Sequence, residues 1–377
     1  MSNRADLAIV GAGIMGLAHA YVAAERGLRV VVFERHQRAS GASVRNFGQI
    51  WPIGQPAGRL HELALRSRAR WLRVLDEANL PSSREGSLHL IYRDDEAAVA
   101  REFAERAPGL GYSCVWLDRD AVLDRSAAVQ PDGLLGGLYS DTELTVDPRV
   151  TLAALPDVLR DRFGVDIRFG TVVTSIDLPN IQAGGETWET DSAIVCSGED
   201  FETLYPDVFA ASGLTRVKLQ MLRTEAQPAG WRLGPALAAG LTLRFYPSFA
   251  VCQTLPALRA RVSQETPEYD RWGIHGLVSQ TSAGELTLGD SHEYGTAVDV
   301  FNREEIDDLM LRYIRGFLKA PTLRINQRWH GVYAKHPEQP YLVLNPAPGV
   351  RIVTSPGGSG MTLSFGIAEE TIGSGLR

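Results

Sequence analysis

A glycine-rich turn near the start of the chain, Gly11-Ala12-Gly13-Ile14-Met15-Gly16, limits what the first forty residues can fold into. The apolar run at residues 5–10 predicts a buried strand before the turn, and helical spacing after it predicts a helix that stops near Gly27. Residues 28–33 predict a second strand, which Glu34 closes. Gly11 permits a tight turn, Gly13 leaves room for a pyrophosphate, and Gly16 lets helix and strand pack closely. A helix N-terminus attracts phosphate and the terminal acid accepts ribose hydroxyls, so the run predicts a dinucleotide-binding βαβ unit.

Composition and charge narrow the class of protein. The chain has 377 residues, 44% of them hydrophobic, which allows a large core and two or three domain-sized units. A formal net charge of −7 without a basic stripe argues against a nucleic-acid partner. Cys114, Cys196 and Cys252 are far apart and show no metal spacing, which favours a reducing compartment. No apolar run reaches the roughly 20 residues of a membrane span, so we expect a cytoplasmic protein with no transmembrane segment.

The segment after Glu34 helps to choose between two cofactors that use this turn. No second Gly-x-Gly-x-x-Gly run follows, so a separate nicotinamide domain is not expected. Residues 40–49 are small and polar, with two glycines. Such a loop can run beside a pyrophosphate and a flat ring and offer N–H groups and hydroxyls. These features favour FAD.

The same loop carries a family resemblance. Gly41, Ser43, Asn46 and Gly48 fit a Gly-x-Ser-x-x-Asn-x-Gly pattern, and with the opening turn they make the chain resemble the D-amino-acid oxidase and glycine/sarcosine oxidase superfamily of flavoproteins. Runs at residues 169–174, 193–198, 218–221 and 288–291 extend the resemblance over most of the chain. The FAD-binding residues that it implies are Gly11, Gly13, Ile14, Met15, Gly16, Glu34, Arg35, Ser40, Gly41, Ser43, Arg45, Asn46, Phe47, Gly48, Val173, Ser197, Gly198, Gly357, Gly358, Ser359, Gly360, Met361 and Thr362.

The C-terminal part predicts a second cofactor contact. Residues 351–354 predict a strand, residues 357–360 a glycine-rich turn, and residues 361–370 a helix. The resemblance implies that this helix points its N-terminus at the pyrimidine edge of the flavin. Free N–H groups there stabilise the negative charge that two-electron reduction places on the ring. Asn46 stands where some relatives attach FAD through a histidine, and residues 357–362 contain no cysteine, so we expect non-covalent FAD.

The implied fold is α/β, α+β overall, of the glutathione-reductase-2-like type. A Rossmann-type FAD-binding domain would combine residues 1–80, 145–215 and 328–377. An interleaved substrate domain with an antiparallel sheet would combine residues 81–144 and 216–327. Helices are predicted at residues 59–78 and 147–163, and strand-like runs at residues 241–246, 274–280 and 285–288.

The substrate anchor differs from that of the glycine-oxidase-like members. Those members carry a Trp-x-Gly-x-Arg-Pro element whose arginine pairs with a carboxylate, whereas Tyr333 stands at the arginine position here. A tyrosine hydroxyl does not replace a permanently charged, bidentate guanidinium. The runs at residues 43–52, 289–294 and 328–333 resemble a subgroup linked to aminophosphonate breakdown. This resemblance implies FAD-dependent oxidation of the C–N bond of an aminoethylphosphonate-type or N-methylated amine, with hydride transfer to flavin N5, imine hydrolysis, and reoxidation by oxygen or an electron carrier.

No catalytic residue is assigned from the sequence, because flavin amine oxidation needs mainly orientation of the amine. His292 and Glu293 lack a third ligand at suitable spacing, so no metal is expected. The substrate-contact candidates are Tyr246, His275, Arg328, His330, Tyr333 and Lys335.

Two other readings stay open. A D-amino-acid dehydrogenase or a glycine/sarcosine oxidase would hold its carboxylate through another arginine, such as Arg223 or Arg244. A flavin-binding or tRNA-modifying module would perform no amine chemistry, and the net acidity counts against the tRNA version.

Overall fold

The computed structural model describes residues 3–375. Its strands are β1 Arg4–Val10, β2 Val30–Glu34, β3 Gln49–Ile50, β4 Ser82–Ser83, β5 Ser87–Ile91, β6 Cys114–Asp118, β7 Gly136–Ser140, β8 Leu144–Val146, β9 Asp166–Phe169, β10 Val173–Asp177, β11 Asn180–Ala183, β12 Glu186–Val195, β13 Thr215–Ala226, β14 Ala236–Ala239, β15 Leu277–Gln280, β16 Glu285–Gly289, β17 Glu293–Gly295, β18 Ile325–Lys335, β19 Leu342–Ala347 and β20 Val350–Thr354. Its helices are α1 Ile14–Glu25, α2 Arg59–Glu77, α3 Asp94–Leu110, α4 Arg119–Arg125, α5 Pro148–Phe163, α6 Pro206–Ala211, α7 Gly240–Leu243, α8 Leu255–Glu265, α9 Pro267–Arg271, α10 Glu304–Phe317 and α11 Gly360–Gly373.

The opening βαβ unit forms as the sequence predicts. Strand β1 pairs in parallel with β2 on one side and with β12 on the other. Every residue of β2 is buried, as expected for a strand covered on both faces. Helix α1 is almost entirely buried between this sheet and other helices, and Gly27 follows its end with φ +83°.

The first sheet is the mostly parallel one. Its parallel part runs β9–β2–β1–β12–β20, while β10, β11 and β19 add antiparallel strands. Helix α11 packs on both α1 and α2, beside the same sheet. The carboxyl ends of β1, β2 and β12 therefore meet at one edge, where ligands bind in such folds.

The second sheet is mostly antiparallel, in the order β17–β13–β16–β15–β14–β5–β7–β6, with β18 on the other side of β13. Its strands come from both sides of β9–β12 in the sequence, so the chain alternates between the two large sheets. Residues 328–335 belong to β18 and pair along β13, and they therefore lie in the second sheet. The predicted division into two discontinuous domains remains a prediction beyond this sheet assignment.

One sequence prediction of a strand is wrong. Residues 241–243 lie in the short helix α7, and a 3-10 turn begins at Pro247. Leu241, Thr242 and Leu243 are all buried, and a short apolar run of this kind does not distinguish a buried helical turn from a strand. The helices predicted at residues 59–78 and 147–163 correspond to α2 and α5.

Among residues 3–375, no helix has the combination of length and apolar character that crossing a lipid bilayer would require.

Candidate active site

A cavity of about 870 Å³ is lined by residues of both large sheets. Such a volume is in the range of ligand and cofactor sites. We call the part lined by the opening turn, the 40–47 loop, residues 196–200 and residues 353–363 the cofactor half. The part lined by Leu219, Met221, Tyr246, His275, Asp290, His292, Tyr333 and Lys335 is the substrate half.

Most residues that the resemblance assigns to FAD line this cavity. Their contact with FAD itself remains a prediction. They are Gly11, Gly13, Ile14, Met15, Glu34, Arg35, Ser40, Gly41, Ser43, Arg45, Asn46, Phe47, Val173, Ser197, Gly198, Gly357, Gly358, Ser359, Gly360, Met361 and Thr362.

The opening turn leaves no room for side chains at its glycines. Gly11 has φ +103°, and a Cβ there would lie 2.5 Å from the Cys196 carbonyl oxygen. A Cβ at Gly13 would lie 3.0 Å from Ser43 Oγ. Ser43 Oγ also accepts the Ile14 N–H at 2.9 Å, which ties the 40–47 loop to the start of α1. The turn thus brings bare backbone to the cavity, as pyrophosphate binding requires.

Glu34 lies at the end of β2 with only 8% of its surface exposed. Its carboxylate accepts the Ala12 N–H and the His36 N–H, both at 2.9 Å. These bonds fix a carboxylate beside the turn, where a ribose would lie in a dinucleotide fold. The next residue, Arg35, forms an ion pair with Asp200, with 2.7 Å between Nη1 and Oδ2.

Asn46 holds the 40–47 loop in shape. Its side-chain amide donates to the Ala42 and Ser43 carbonyl oxygens at 2.9 and 3.0 Å, and its Oδ1 accepts the Gly48 N–H at 2.7 Å. The Asn46 side chain therefore has a structural task in addition to its place at the cavity wall.

The N-terminal end of α11 forms another wall of the cofactor half. The helix has 14 residues, and residues 357–363 all line the cavity. Thr362 Oγ1 accepts the Trp51 N–H at 2.9 Å, and Gln55 donates to Ser359 Oγ at 2.9 Å. These bonds anchor the turn, while the first N–H groups of a helix lack partners within the helix and carry partial positive charge.

Four of the predicted site residues lie outside the cavity lining: Gly16, Gly48, Arg328 and His330. A Cβ at Gly16 would lie 1.9 Å from the Gly11 carbonyl oxygen, so Gly16 serves the packing of α1. A Cβ at Gly48 would lie 1.9 Å from the Val146 carbonyl oxygen, so Gly48 serves the approach of β8.

Arg328 and His330 precede the part of β18 that lines the cavity, which is residues 331–335. Arg328 pairs with Asp307 at 3.0 Å, and His330 Nδ1 lies 3.0 Å from Asn302 Oδ1. Contact of Arg328 and His330 with the substrate remains a prediction.

The other four substrate candidates, Tyr246, His275, Tyr333 and Lys335, do line the cavity. Burial raises the pKa of the Tyr246 and Tyr333 hydroxyls, so both stay protonated and can donate hydrogen bonds. Burial lowers the pKa of Lys335. Within residues 3–375, no carboxylate lies at ion-pair distance from Lys335, whose Nζ lies 5.1 Å from the centre of the Tyr294 ring. Its ammonium is therefore available to an anion in the cavity.

The sequence reading missed Asp290 and His292 as site residues. Both line the cavity, and His275 Nε2 lies 3.0 Å from Asp290 Oδ1. Ligand atoms of His275, Asp290 and His292 all lie within 4.8 Å of one another, so His275 supplies the third group that sequence spacing did not reveal. The run Asp290-Ser291-His292 does indicate that Asp290 and His292 lie together, because residues two apart in extended chain share a face. The absence of a metal remains a prediction.

The two arginines proposed for a carboxylate do not reach the cavity lining. Arg223 is buried, lies 3.4 Å from Glu285 and packs beside Trp329. Arg244 pairs with Asp270 at 3.1 Å. In the described part of the chain, Arg35 and Arg45 are the arginines among the lining residues.

Comparisons with known proteins identify relatives of this chain. Over a matched segment of 147 residues the chain is 28% identical to a glycine oxidase of Geobacillus kaustophilus, which covers 37% of this chain and 39% of that protein. It is 26% identical over 228 residues to a D-amino acid dehydrogenase 2 of Mesorhizobium japonicum, covering 46% of this chain and 55% of that protein. The matches thus span about half or less of these relatives.

The fold likeness is more extensive than the sequence likeness. The crystal structure of glycine oxidase from Geobacillus kaustophilus superimposes with a TM-score of 0.77 at 19% identity, covering 99% of this chain and 94% of that one. The fold is thus of the glutathione-reductase-2 type that the sequence predicts. A family model described as DAO, FAD dependent oxidoreductase, matches residues 6–373. The chain therefore belongs to the DAO family of FAD-dependent oxidoreductases.

Proposed function

We propose that this FAD-dependent enzyme oxidises the C–N bond of a small amine that also carries an anionic group. The observation that carries the proposal is one continuous cavity that joins a dinucleotide-binding turn to a polar wall of the second sheet. That wall holds both an available cation, Lys335, and a buried carboxylate, Asp290. A zwitterionic substrate would bring an opposite charge to each of these residues, whereas a purely apolar substrate would bring none.

The residues present fit FAD. The bare backbone at Gly11 and Gly13 suits the pyrophosphate, Glu34 suits the ribose, and the N-terminal end of α11 suits the flavin ring. When bound, FAD supplies a two-electron acceptor to which the substrate gives up a hydride from the carbon beside nitrogen. We further propose that FAD is held without a covalent bond, for which acid precipitation that releases all flavin to the supernatant is the test.

The chain's own residues orient the substrate and shield it. Tyr246 stacks near Trp51 with ring centroids 6.2 Å apart, which gives the substrate half an aromatic wall. Tyr333 can donate its hydroxyl hydrogen bond toward the bound molecule. Placement of the reacting carbon by such fixed groups is the main contribution that flavin amine oxidation needs from the protein. The amine is neutral when the hydride leaves the neighbouring carbon, so the product is an iminium ion. Water then hydrolyses the iminium ion to a carbonyl compound and ammonia or methylamine.

For the substrate class, we propose an aminoethylphosphonate-type or N-methylated amine. Tyr333 in place of an arginine, and the position of Arg223 and Arg244 outside the cavity, support an anion other than an ordinary α-carboxylate. A phosphonate accepts hydrogen bonds on three oxygens, which suits Lys335 together with tyrosine hydroxyls. The residue runs shared with the aminophosphonate-linked subgroup support the same class.

A second candidate is an amino acid, because the relatives named above are a glycine oxidase and a D-amino acid dehydrogenase. Arg45 lines the cavity and offers a guanidinium, although its Nη1 donates to the His330 carbonyl oxygen at 3.1 Å. This candidate predicts flavin reduction by glycine, sarcosine or D-alanine.

Anaerobic reduction of the flavin by a panel of amines tests both candidates. The panel contains aminoethylphosphonate, its N-methyl form, glycine, sarcosine and D-alanine, and loss of flavin absorbance is followed in a stopped-flow instrument. Fast bleaching by the phosphonates supports the proposal. Bleaching by the amino acids alone would reject the phosphonate class, and bleaching by none of a broad amine set would reject amine oxidation.

A further inference from the structure

Three buried side chains form a cluster in the substrate half that the proposed function has so far used only in part. His275, Asp290 and His292 are 2%, 6% and 4% exposed, and all three line the cavity. They come from two separate segments, one just before β15 and one between β16 and β17. A buried carboxylate between two imidazoles is costly to assemble unless something satisfies its charge.

Hydrogen bonding fixes the tautomer of His292. Its Nδ1 lies 2.9 Å from the Gly273 carbonyl oxygen, a contact that only an N–H can make. Burial lowers the pKa of His292 to about 4, so the ring is neutral at pH 7 and Nε2 carries a lone pair. Nε2 lies 3.9 Å from Asp290 Oδ2, which is also an acceptor. A donor or a cation placed between the two atoms can reach both.

The partner of the other carboxylate oxygen is His275. Its Nε2 lies 3.0 Å from Asp290 Oδ1, which is within ion-pair distance, but Oδ1 accepts no hydrogen bond from the described residues. The His275 ring stacks on Phe245 with centroids 4.0 Å apart. Burial alone would raise the pKa of the Asp290 carboxyl, but the neighbouring His275 lowers it, so the carboxylate stays ionised. His275 therefore orients one oxygen of Asp290 and leaves Oδ2 to a ligand.

We propose that Asp290 Oδ2 and His292 Nε2 together bind the cationic amine of the substrate, with His275 as the positioning residue for Asp290. This inference rests on the proposed function and names the part of the site that selects an amine. An ammonium group offers several N–H donors, so it can donate to both acceptors at once, whereas an alcohol has one O–H. Lys335 then takes the anionic end of the same molecule.

An organic cation is the occupant we propose because the cluster lies in the same cavity as the proposed amine substrate. Asp290 Oδ2 and His292 Nε2 lie 3.9 Å apart, so one ammonium group placed between them can donate to both.

The test compares binding of an amine with binding of its hydroxyl counterpart. Holoenzyme is titrated with aminoethylphosphonate and 2-hydroxyethylphosphonate, or with glycine and glycolate, and the perturbation of the flavin spectrum under anaerobiosis gives each affinity. A charged hydrogen bond is worth about 1.5–3 kcal/mol, or about 10- to 100-fold. We expect Asp290→Asn to weaken amine binding by about that factor and to change binding of the hydroxyl compound by less than about 3-fold.

A second variant and a matched control keep the result interpretable. His292→Asn should lower the same preference for the amine without loss of bound FAD. The control is Asp307→Asn. Asp307 is another buried, ion-paired carboxylate, but it lies outside the cavity lining, so this variant should leave the preference for the amine over the hydroxyl compound unchanged. Equal weakening of both probes by Asp290→Asn, or an unchanged preference, would overturn the inference.

Elemental analysis covers the inorganic alternative. One divalent metal ion per chain in the purified holoenzyme, lost in both Asp290→Asn and His292→Asn, would replace the ammonium site by a metal site. The proposed function fails separately, since it is judged by whether the unmodified enzyme is reduced by any amine at all.

Discussion

The two halves of the cavity are built in different ways. The cofactor half is made largely of backbone: glycines at the opening turn, a tied loop and the start of α11. The substrate half is made of side chains that converge from β13, β15, β18 and the run around Asp290. The first kind of wall recognises a common group, a diphosphate and a ring, and the second recognises one particular molecule. The chemistry that distinguishes this chain from its relatives is therefore expected in the substrate half.

The largest effect on ligand binding should come from adding a single methyl group to the opening turn of the cofactor half. Gly11→Ala places a Cβ 2.5 Å from the Cys196 carbonyl oxygen at a φ of +103°. Relief of the clash distorts the turn, and restoring it on binding costs about 3 kcal/mol, or about 100-fold in FAD affinity. Fluorescence titration with FAD measures the loss.

Gly164→Ala is the matched control for this prediction. Gly164 also has positive φ, +67°, but a Cβ there meets no atom within 4 Å. It should lower stability slightly and leave FAD affinity within about 2-fold. Equal FAD affinity in the Gly11 and Gly164 variants would show that the turn is not the phosphate site.

The difference between the two halves of the cavity also explains which parts of the site the sequence predicts. Gly11, Gly13 and Glu34 act through local turn geometry, which a run of 24 residues from 11 to 34 contains in full. The helices at α2 and α5 were visible because their apolar periodicity is long. These parts depend on chain-local chemistry, so sequence alone predicts them.

The substrate wall depends on contacts that no local pattern contains. His275 and Asp290 are 15 residues apart in sequence, and only the pairing of β15 with β16 brings their ends together. From the sequence, Arg328 is a substrate candidate and Asp290 is not. The cavity lining contains Asp290 and not Arg328, and the pairing of β18 with β13 that positions Arg328 is not visible in either segment alone.

In the substrate half, the largest single loss should follow removal of the cation at the wall. Lys335→Met keeps the apolar stem but removes the ammonium, so binding of aminoethylphosphonate should weaken by about 10- to 100-fold, with FAD affinity unchanged. Flavin reduction at varied substrate concentration gives the apparent dissociation constant. Lys319→Met, an exposed lysine outside the cavity, is the control. Similar losses in both variants would remove Lys335 from the site.

Two buried histidines, His19 in α1 and His89 in β5, should make the free energy of unfolding sensitive to acid. Burial lowers the pKa of His19 to about 4 and that of His89 to about 3, from an ordinary value of 6.5. Above pH 6.5 both are neutral whether folded or unfolded. As the pH falls below 6.5, only the unfolded chain takes up the protons, so the free energy of unfolding decreases toward pH 4.

Denaturation at pH 7 and pH 5, with excess FAD, measures that sensitivity. One pKa unit is worth about 1.4 kcal/mol, so each histidine should lower the free energy of unfolding by about 2 kcal/mol over this interval. His19→Gln, beside the cofactor half, and His89→Gln, in the second sheet, should each reduce the difference between the two pH values by about that amount. An unaltered difference in either variant would contradict burial of that ring in its neutral form.

The smallest effect on substrate binding should come from Arg328, whose charge makes it a substrate candidate in the sequence. Its side chain is 47% exposed, pairs with Asp307 and lies outside the cavity lining. Asp307 is buried but keeps its hydrogen bond from Gln220 Nε2, so Arg328→Ala should lower stability by about 1.5–3 kcal/mol. Binding of every amine in the panel should stay within about 2-fold of the unmodified enzyme, because the residue lies outside the cavity lining. A loss of substrate affinity as large as that of Lys335→Met would mean that β18 presents its other face to the substrate, and the contrast between the two walls would then have to be redrawn around that face.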